Sequence, residues 1–513
     1  MWLLLRTGWA SLLVVPAVLV VLVAAVAVQM VNRYPTPASR EVYAAAYAGV
    51  SGISAFQGRG YELTDLGGML ANEMGFLSLV LFPVAGLLLA IRHTRAVEDT
   101  GHLDILTAGR TGRLAPLTAG ATVVAISATL MATGASAVLL GLGYPARGSL
   151  LYPAALALLL LTFAAIGLVA AQLAQTAPQA YGLALAVFLL TYLLRAVIDV
   201  RHASATWSSP GSWLAETRPF ADRLISWPWV AYLLVIVAFT GLALRISQRR
   251  DLGAGVLTPR PGPARAPHWT ASPAGLILRL TRGSALAWLI GSGIFAFAFG
   301  SLGNDMQILM SRTRPENAGV ALDTLVALYA QINALFAGAV AVQTVTAWSR
   351  EERLGRLGWI LSTAVGRRQA WLSATAITGG WSLLTLASTG LLIGLGLALG
   401  LREGSAFTDG LTATLAYAPA VLFVAAAALL LAAAVPAATA ASWTLVGWGL
   451  VVTFLGDPLD LGQGLRNLSP FEWSGQVPLD PWRQAQAVTT TVCAGIGVLL
   501  SVALFRRRGL MKG

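Results

Sequence analysis

The sequence predicts an all-α polytopic membrane protein, with about twelve transmembrane helices in two parallel six-helix repeats. Three observations carry this. Of 513 residues, 57% are hydrophobic and only 11% charged, whereas a soluble domain is about 25% charged. Apolar runs as long as the roughly 20 helical residues that a hydrocarbon core requires recur along the whole chain. A polar block after the second run returns 254 residues later in the same register. The runs do not alternate apolar with polar residues, as barrel strands do, so the spans are helices.

The elements follow in order. Arg6 and Ala25-Val26-Ala27 give the first run the look of a secretory signal. The run from Trp9 to Met30 is too long for a usual signal core, so it reads as span one, over 9–30. The others are expected near 70–91, 115–141, 150–172, 178–198, 228–246, 283–302, 322–347, 372–400, 411–434, 440–456 and 486–505. An even number of spans puts both termini on one side.

The net charge of +12 is a statement about topology. The N-terminus, the 92–113 loop, the 245–282 segment, the 348–368 loop and the C-terminus hold 21 of the 34 basic residues and six acids. Basic loops stay in the cytoplasm, so these segments and both termini are expected there. The Pro- and Arg-rich stretch 247–270 divides a first half, 1–246, from a second, 271–513. Its composition reads as an irregular, exposed tether. Ile277–Gly283 echoes Leu3–Gly8, and both suit short amphipathic helices at the interface.

The repeat is clearest after the second span of each half. Glu98, Gly101, Leu103, Gly112 and Arg113 match Glu352, Gly355, Leu357, Gly366 and Arg367, and Phe82 matches Phe336. Six identities in one register indicate a tandem duplication. Each half enters and leaves on one side, so the repeat is parallel rather than inverted. Each loop joins acids, a glycine, an apolar patch and a closing arginine. Leu103, Ile105 and Leu106 form the first patch; Leu357, Trp359, Ile360 and Leu361 form the second. Apolar surface with charges to orient it suits a docking partner; a solvated turn that obeys the charge rule is the plainer alternative.

The string Arg350-Glu351-Glu352-x-x-Gly355-Arg356-Leu357, followed by Ile360-Leu361-Ser362-Thr363-x-Val365-x-Arg367, resembles the coupling segment of type-2 ABC exporter permeases. Glu98, Asp99, Gly101, Asp104 and Arg113 form a weaker copy. Gly358 and Ala364 stand where that family usually has an acid and a proline. Twelve spans in two fused halves resemble the actinobacterial permeases that export polyketide antibiotics and other drugs. The resemblance implies alternating access in the cytoplasmic membrane, with two copies of a separate ABC ATPase, carrying ATP and Mg, beneath the two loops. A Walker A loop needs a lysine at the phosphates, and the only lysine is Lys512, so this chain is expected to bind no nucleotide or other cofactor and to catalyse nothing itself.

In similar permeases the second and fifth spans of each half line the pathway. That points to Phe76, Phe82, Tyr192, Gln331, Asn333, Phe336, Gln343, Trp443 and Trp448, a set that suits a bulky apolar substrate. Polar groups at mid-membrane face protein or water; for the amides, interhelical hydrogen bonding is an equal alternative, and for the aromatics plain packing. No acid lies at mid-span, where proton-coupled carriers place one. Arg195 and Asp199, four apart, suit a structural pair. His93, His102, His202 and His268 show no metal spacing. Trp207, Trp213, Trp227 and Trp229 fit interfacial anchoring. Two rival readings remain: a major-facilitator carrier, from the partial motif Gly109-Arg110-Thr-Gly112-Arg113, and a membrane glycosyltransferase, from Glu62 and Asp65.

Overall fold

A computed structural model describes residues 2–47, 54–101, 112–201, 204–251, 253–257, 265, 267–313, 320–456 and 459–509. Among them, twelve helices are long and apolar enough to cross a membrane, and there is no strand. The chain divides into two compact units, Met1–Pro261 and Gly262–Gly513.

The first unit contains α1 (Trp2–Arg33), α2 (Gly75–Arg92), α3 (Ala115–Gly141), α4 (Ala146–Leu173), α5 (Ala177–Val200) and α6 (Trp227–Arg249). Helix α4 is its core and packs against α2, α3, α5 and α6. Its small residues explain why: the Cα of Gly86 on α2 faces the carbonyl oxygen of Leu160, and Gly167 on α4 faces the backbone of Leu87. Lipid gives helices no hydrophobic reason to associate, so close backbone approach through small residues replaces it. Helix α6 is the reverse, with Leu234 and Val237 among its exposed side chains, as suits a lipid-facing surface.

The second unit contains α7 (Pro273–Ser301), α8 (Ala321–Arg353), α9 (Arg367–Leu401), α10 (Ala418–Ala434), α11 (Trp443–Leu455) and α12 (Gln484–Arg507). Here the core is the second span: α8 touches α7, α9, α10 and α11. Helices α7 and α9 lie backbone to backbone, Gly300 against the carbonyl oxygen of Ile393 and Gly396 against that of Phe297. Trp371 on α9 stacks on Phe505 of α12 at 4.3 Å and donates its indole N–H to Ser501 Oγ at 2.9 Å.

Four expectations change. Leu3–Gly8 and Ile277–Gly283 are not separate interfacial helices, because each runs without a break into its span. The tenth span opens with its own helix, Ser405–Leu415, set off from α10 at Ala416 and Tyr417. Trp213 is not an interfacial anchor; it is buried, edge-on to Tyr232, and donates to the Trp207 carbonyl. The described start of the interdomain stretch is irregular and mostly exposed, as expected, but it is tied down. Leu257 N–H donates to Leu173 O at 2.8 Å and Gly253 N–H to Glu98 Oε1 at 2.7 Å, so residues 253–257 lie against the first unit.

Candidate functional site

The two loops that repeat in sequence also repeat in structure. In each, a helical turn ends at the matched glycine in the left-handed region, Gly101 at φ +75° and Gly355 at φ +73°. Each glycine donates its N–H to the carbonyl of the matched glutamate, Gly101 to Glu98 at 3.0 Å and Gly355 to Glu352 at 2.9 Å. A side chain at this φ is strained, which is why glycine closes helices this way.

The glutamates themselves are held within their own half. Glu352 is buried and the side chain of Glu98 is only 7% exposed, and each is clasped by an arginine at the end of its unit's last helix. Arg250, just past α6, donates to both Glu98 oxygens at 2.8 and 2.6 Å. Arg508, just past α12, donates to both Glu352 oxygens, the longer bond being 2.7 Å. Glu98 also accepts from Arg95 Nη1 at 3.1 Å, and Asp99 accepts from Ala177 N–H at 2.6 Å, capping the start of α5. The closing arginines take part as well. Arg113 reaches Asp251 at 3.2 Å and Arg367 donates to the Arg508 carbonyl at 2.5 Å, so both hold the chain as it leaves the last span.

What faces outward is different. Past α8 the short helix Arg356–Leu361 buries Leu357 and leaves Trp359 81% exposed. Glu351 lies beside it and accepts two 2.6 Å bonds from Arg356, which push the Arg356 guanidinium still further up in pKa. The corresponding patch of the first loop, Leu103, Asp104, Ile105 and Leu106, lies outside the described residues, as does Gly109-Arg110.

The expected pathway residues separate into groups. Phe76 and Tyr192 meet at Phe56: the Phe76 ring is 6.3 Å from it, and the Tyr192 hydroxyl donates to its carbonyl at 3.4 Å. Phe82 is fully buried. Gln331 donates to Glu472 at 3.0 Å, while both amide atoms of the fully buried Asn333 have no hydrogen-bond partner among the described residues. Phe336 packs edge-on to Phe295 and beside Trp288. Gln343 and Trp443 are half-buried, and Trp448 donates to the Leu465 carbonyl at 3.1 Å.

Arg195 and Asp199 do form an ion pair, at 2.9 Å. Asp199 lies 3.4 Å from Arg59, and Glu216 accepts from Tyr61 at 2.9 Å. Burial, then the bond to Glu216, raises the Tyr61 pKa. Asp65 caps the helix Leu66–Glu73 through the Gly67 N–H.

The sequence reading missed Arg95, Arg250 and Arg508 as partners of these acids. A signal was present: both sixth spans end in Arg-Arg, at 249–250 and 507–508. It merged into the general excess of basic residues on one side.

Among the described residues, twelve helices long and apolar enough to cross a membrane, in two units whose matched loops are each anchored to their own last span, define a multi-pass membrane protein. The multidrug efflux system permease protein Rv1217c of Mycobacterium tuberculosis (strain ATCC 25618 / H37Rv) is 31% identical to this chain, over 98% of the chain and 91% of the relative. The profile for the C-terminal domain of multidrug efflux system permease Rv1217c matches residues 271–506. The chain belongs to this permease family.

Proposed function

We propose that the chain is the membrane subunit of an ATP-driven exporter that moves hydrophobic, drug-like or polyketide-type compounds out of the cell. Two copies of a separate ABC ATPase carry ATP and Mg and dock beneath the two loops. ATP closes the ATPase dimer, the loops are displaced, and the pathway opens outward. The relative's efflux role supports the direction of transport.

The observation that carries the docking role is Trp359. A large aromatic ring, 81% exposed, stands on a short helix beyond the end of α8. Aromatic side chains of this kind anchor interfaces. The buried Glu98 and Glu352 then serve to hold the loops, and the residues that meet the ATPase are Trp359, Glu351 and their surroundings.

The test is purification of the full chain from its native membrane, in wild-type form and as Trp359→Arg. An ABC ATPase at about two copies per wild-type chain, depleted in the variant while the elution profile stays the same, is the expected result. A wild-type chain that carries no ATPase, with transport abolished by collapse of the proton gradient, returns the reading to a secondary carrier.

A further inference from the structure

The duplicated loops carry a second match that their sequence register hides. Glu98 and Glu352 are 254 residues apart, but the arginines that clasp them, Arg250 and Arg508, are 258 apart. The intervening lengths differ by four residues, yet the contact is rebuilt. Both arginines occupy the first position past the last helix, with extended backbone, φ −97°, ψ 152° and φ −80°, ψ 153°. Each donates its N–H four residues back, to Ile246 and to Leu504, at 3.0 Å. Each grips its glutamate with two nitrogens, and each has a further carbonyl in reach, Ala254 at 2.6 Å and Ala432 at 3.4 Å.

Such a pair is a costly way to join two helices. Taking a carboxylate and a guanidinium out of water carries a penalty that apolar packing avoids. What a bidentate fork adds is a fixed relative orientation. The glutamate stands at the head of the loop, and the arginine stands at the end of the last span.

We infer that Arg250 and Arg508 are positioning residues that lock each loop to the last span of its own half, so that a displacement of the loop is delivered to α6 or α12 as one rigid movement. This rests on the reading of the loops as coupling segments. The second and last spans of each half thereby move together, and an arginine outside the loop motif becomes part of the drive.

The experiment uses the full chain with Cys493→Ser, and spin labels at two exposed sites, Arg353→Cys near the loop and Arg507→Cys near the clasp. Pulsed electron resonance reads their separation with and without ATP and Mg, in the complex with whatever ATPase co-purifies. With Arg508 intact, one narrow distance that nucleotide leaves unchanged is expected. Arg508→Gln broadens it and lowers ATP turnover about tenfold, a size typical of coupling between sites, with the amount of bound ATPase unchanged. The exchanged pair Glu352→Arg with Arg508→Glu restores the narrow distance and most of the turnover. Arg508→Gln with an unchanged narrow distance, or with a broadened distance and full turnover, overturns the inference. If Arg508→Gln does not fold, Arg508→Lys and the exchanged pair decide: turnover equal to wild type in Lys, which cannot form the fork, overturns it. The distance measurement needs no ATPase, so a wild-type chain without one refutes the coupling reading and still reports on the clasp.

Discussion

The first and second halves solve one problem with unequal resources. Glu98 has two arginines, Arg95 and Arg250, together with the Gly253 N–H from the stretch that follows α6. Glu352 has Arg508 as its one ion-pair partner among the described residues. The chain also turns differently: α2 stops at Arg92 and a separate turn, Arg95–Glu98, carries the acid, whereas α8 runs unbroken to Arg353. The second loop therefore extends from the tip of a single helix of 33 residues and is held to the end of α12 through Arg508. The first is bound to the ends of α4, α5 and α6 through Gln175, Ala177 and Arg250.

The comparison predicts a ranking. Glu98→Gln should have the largest effect, because it leaves the buried Arg95 and the part-buried Arg250 near each other without the counter-charge they share, with only Asp99, 3.4 Å from Arg95, remaining. Breaking a buried pair on one side costs about 3–5 kcal/mol, and thermal unfolding of the purified chain should show a larger loss than for Glu352→Gln. Equal losses would mean that the extra bonds in the first half carry no weight.

Removal of the arginines should reverse the order. Arg508→Gln strips Glu352 of its clasp, while Arg250→Gln leaves Glu98 with Arg95 and Gly253. The drop in melting temperature should be greater for Arg508→Gln. The glycines rank next. Gly101→Ala and Gly355→Ala each force a side chain into the left-handed region at a cost of about 1–2 kcal/mol, with Asn better tolerated than Ala at both sites. Among the described residues nothing lies within 4 Å of a β-carbon at either position, so the two losses should match, and a difference would point to a contact formed outside the described residues. Glu351→Gln should matter least for stability, less than about 1 kcal/mol, since Arg356 is largely exposed. Any large effect of that change should appear in ATPase binding instead.

The spans were legible because lipid imposes length and apolarity, signals that act locally along the chain. Each of the twelve expected runs overlaps an observed helix. The loops were legible for another reason: Gly101 and Gly355 need a φ that their residue type announces, and duplication printed the pattern twice. The clasp was not. Arg250 and Arg508 meet their acids across more than 150 residues, and a four-residue difference in spacing breaks the register that revealed the rest. Trp213 misled in the same way, since a tryptophan near a span end reads as an anchor until its neighbours are known.

The close crossing of α7 and α9 has a consequence for genetics. At Gly300 and Gly396 a β-carbon would stand 2.5 Å from a carbonyl oxygen of the neighbouring helix, so alleles with any larger residue there should be lost during membrane assembly. A drug-resistance screen scores such alleles as inactive, alongside true pathway mutants. Measuring surface abundance for every allele separates the two, and without it a substrate route drawn from resistance data would run through a seam that no substrate enters.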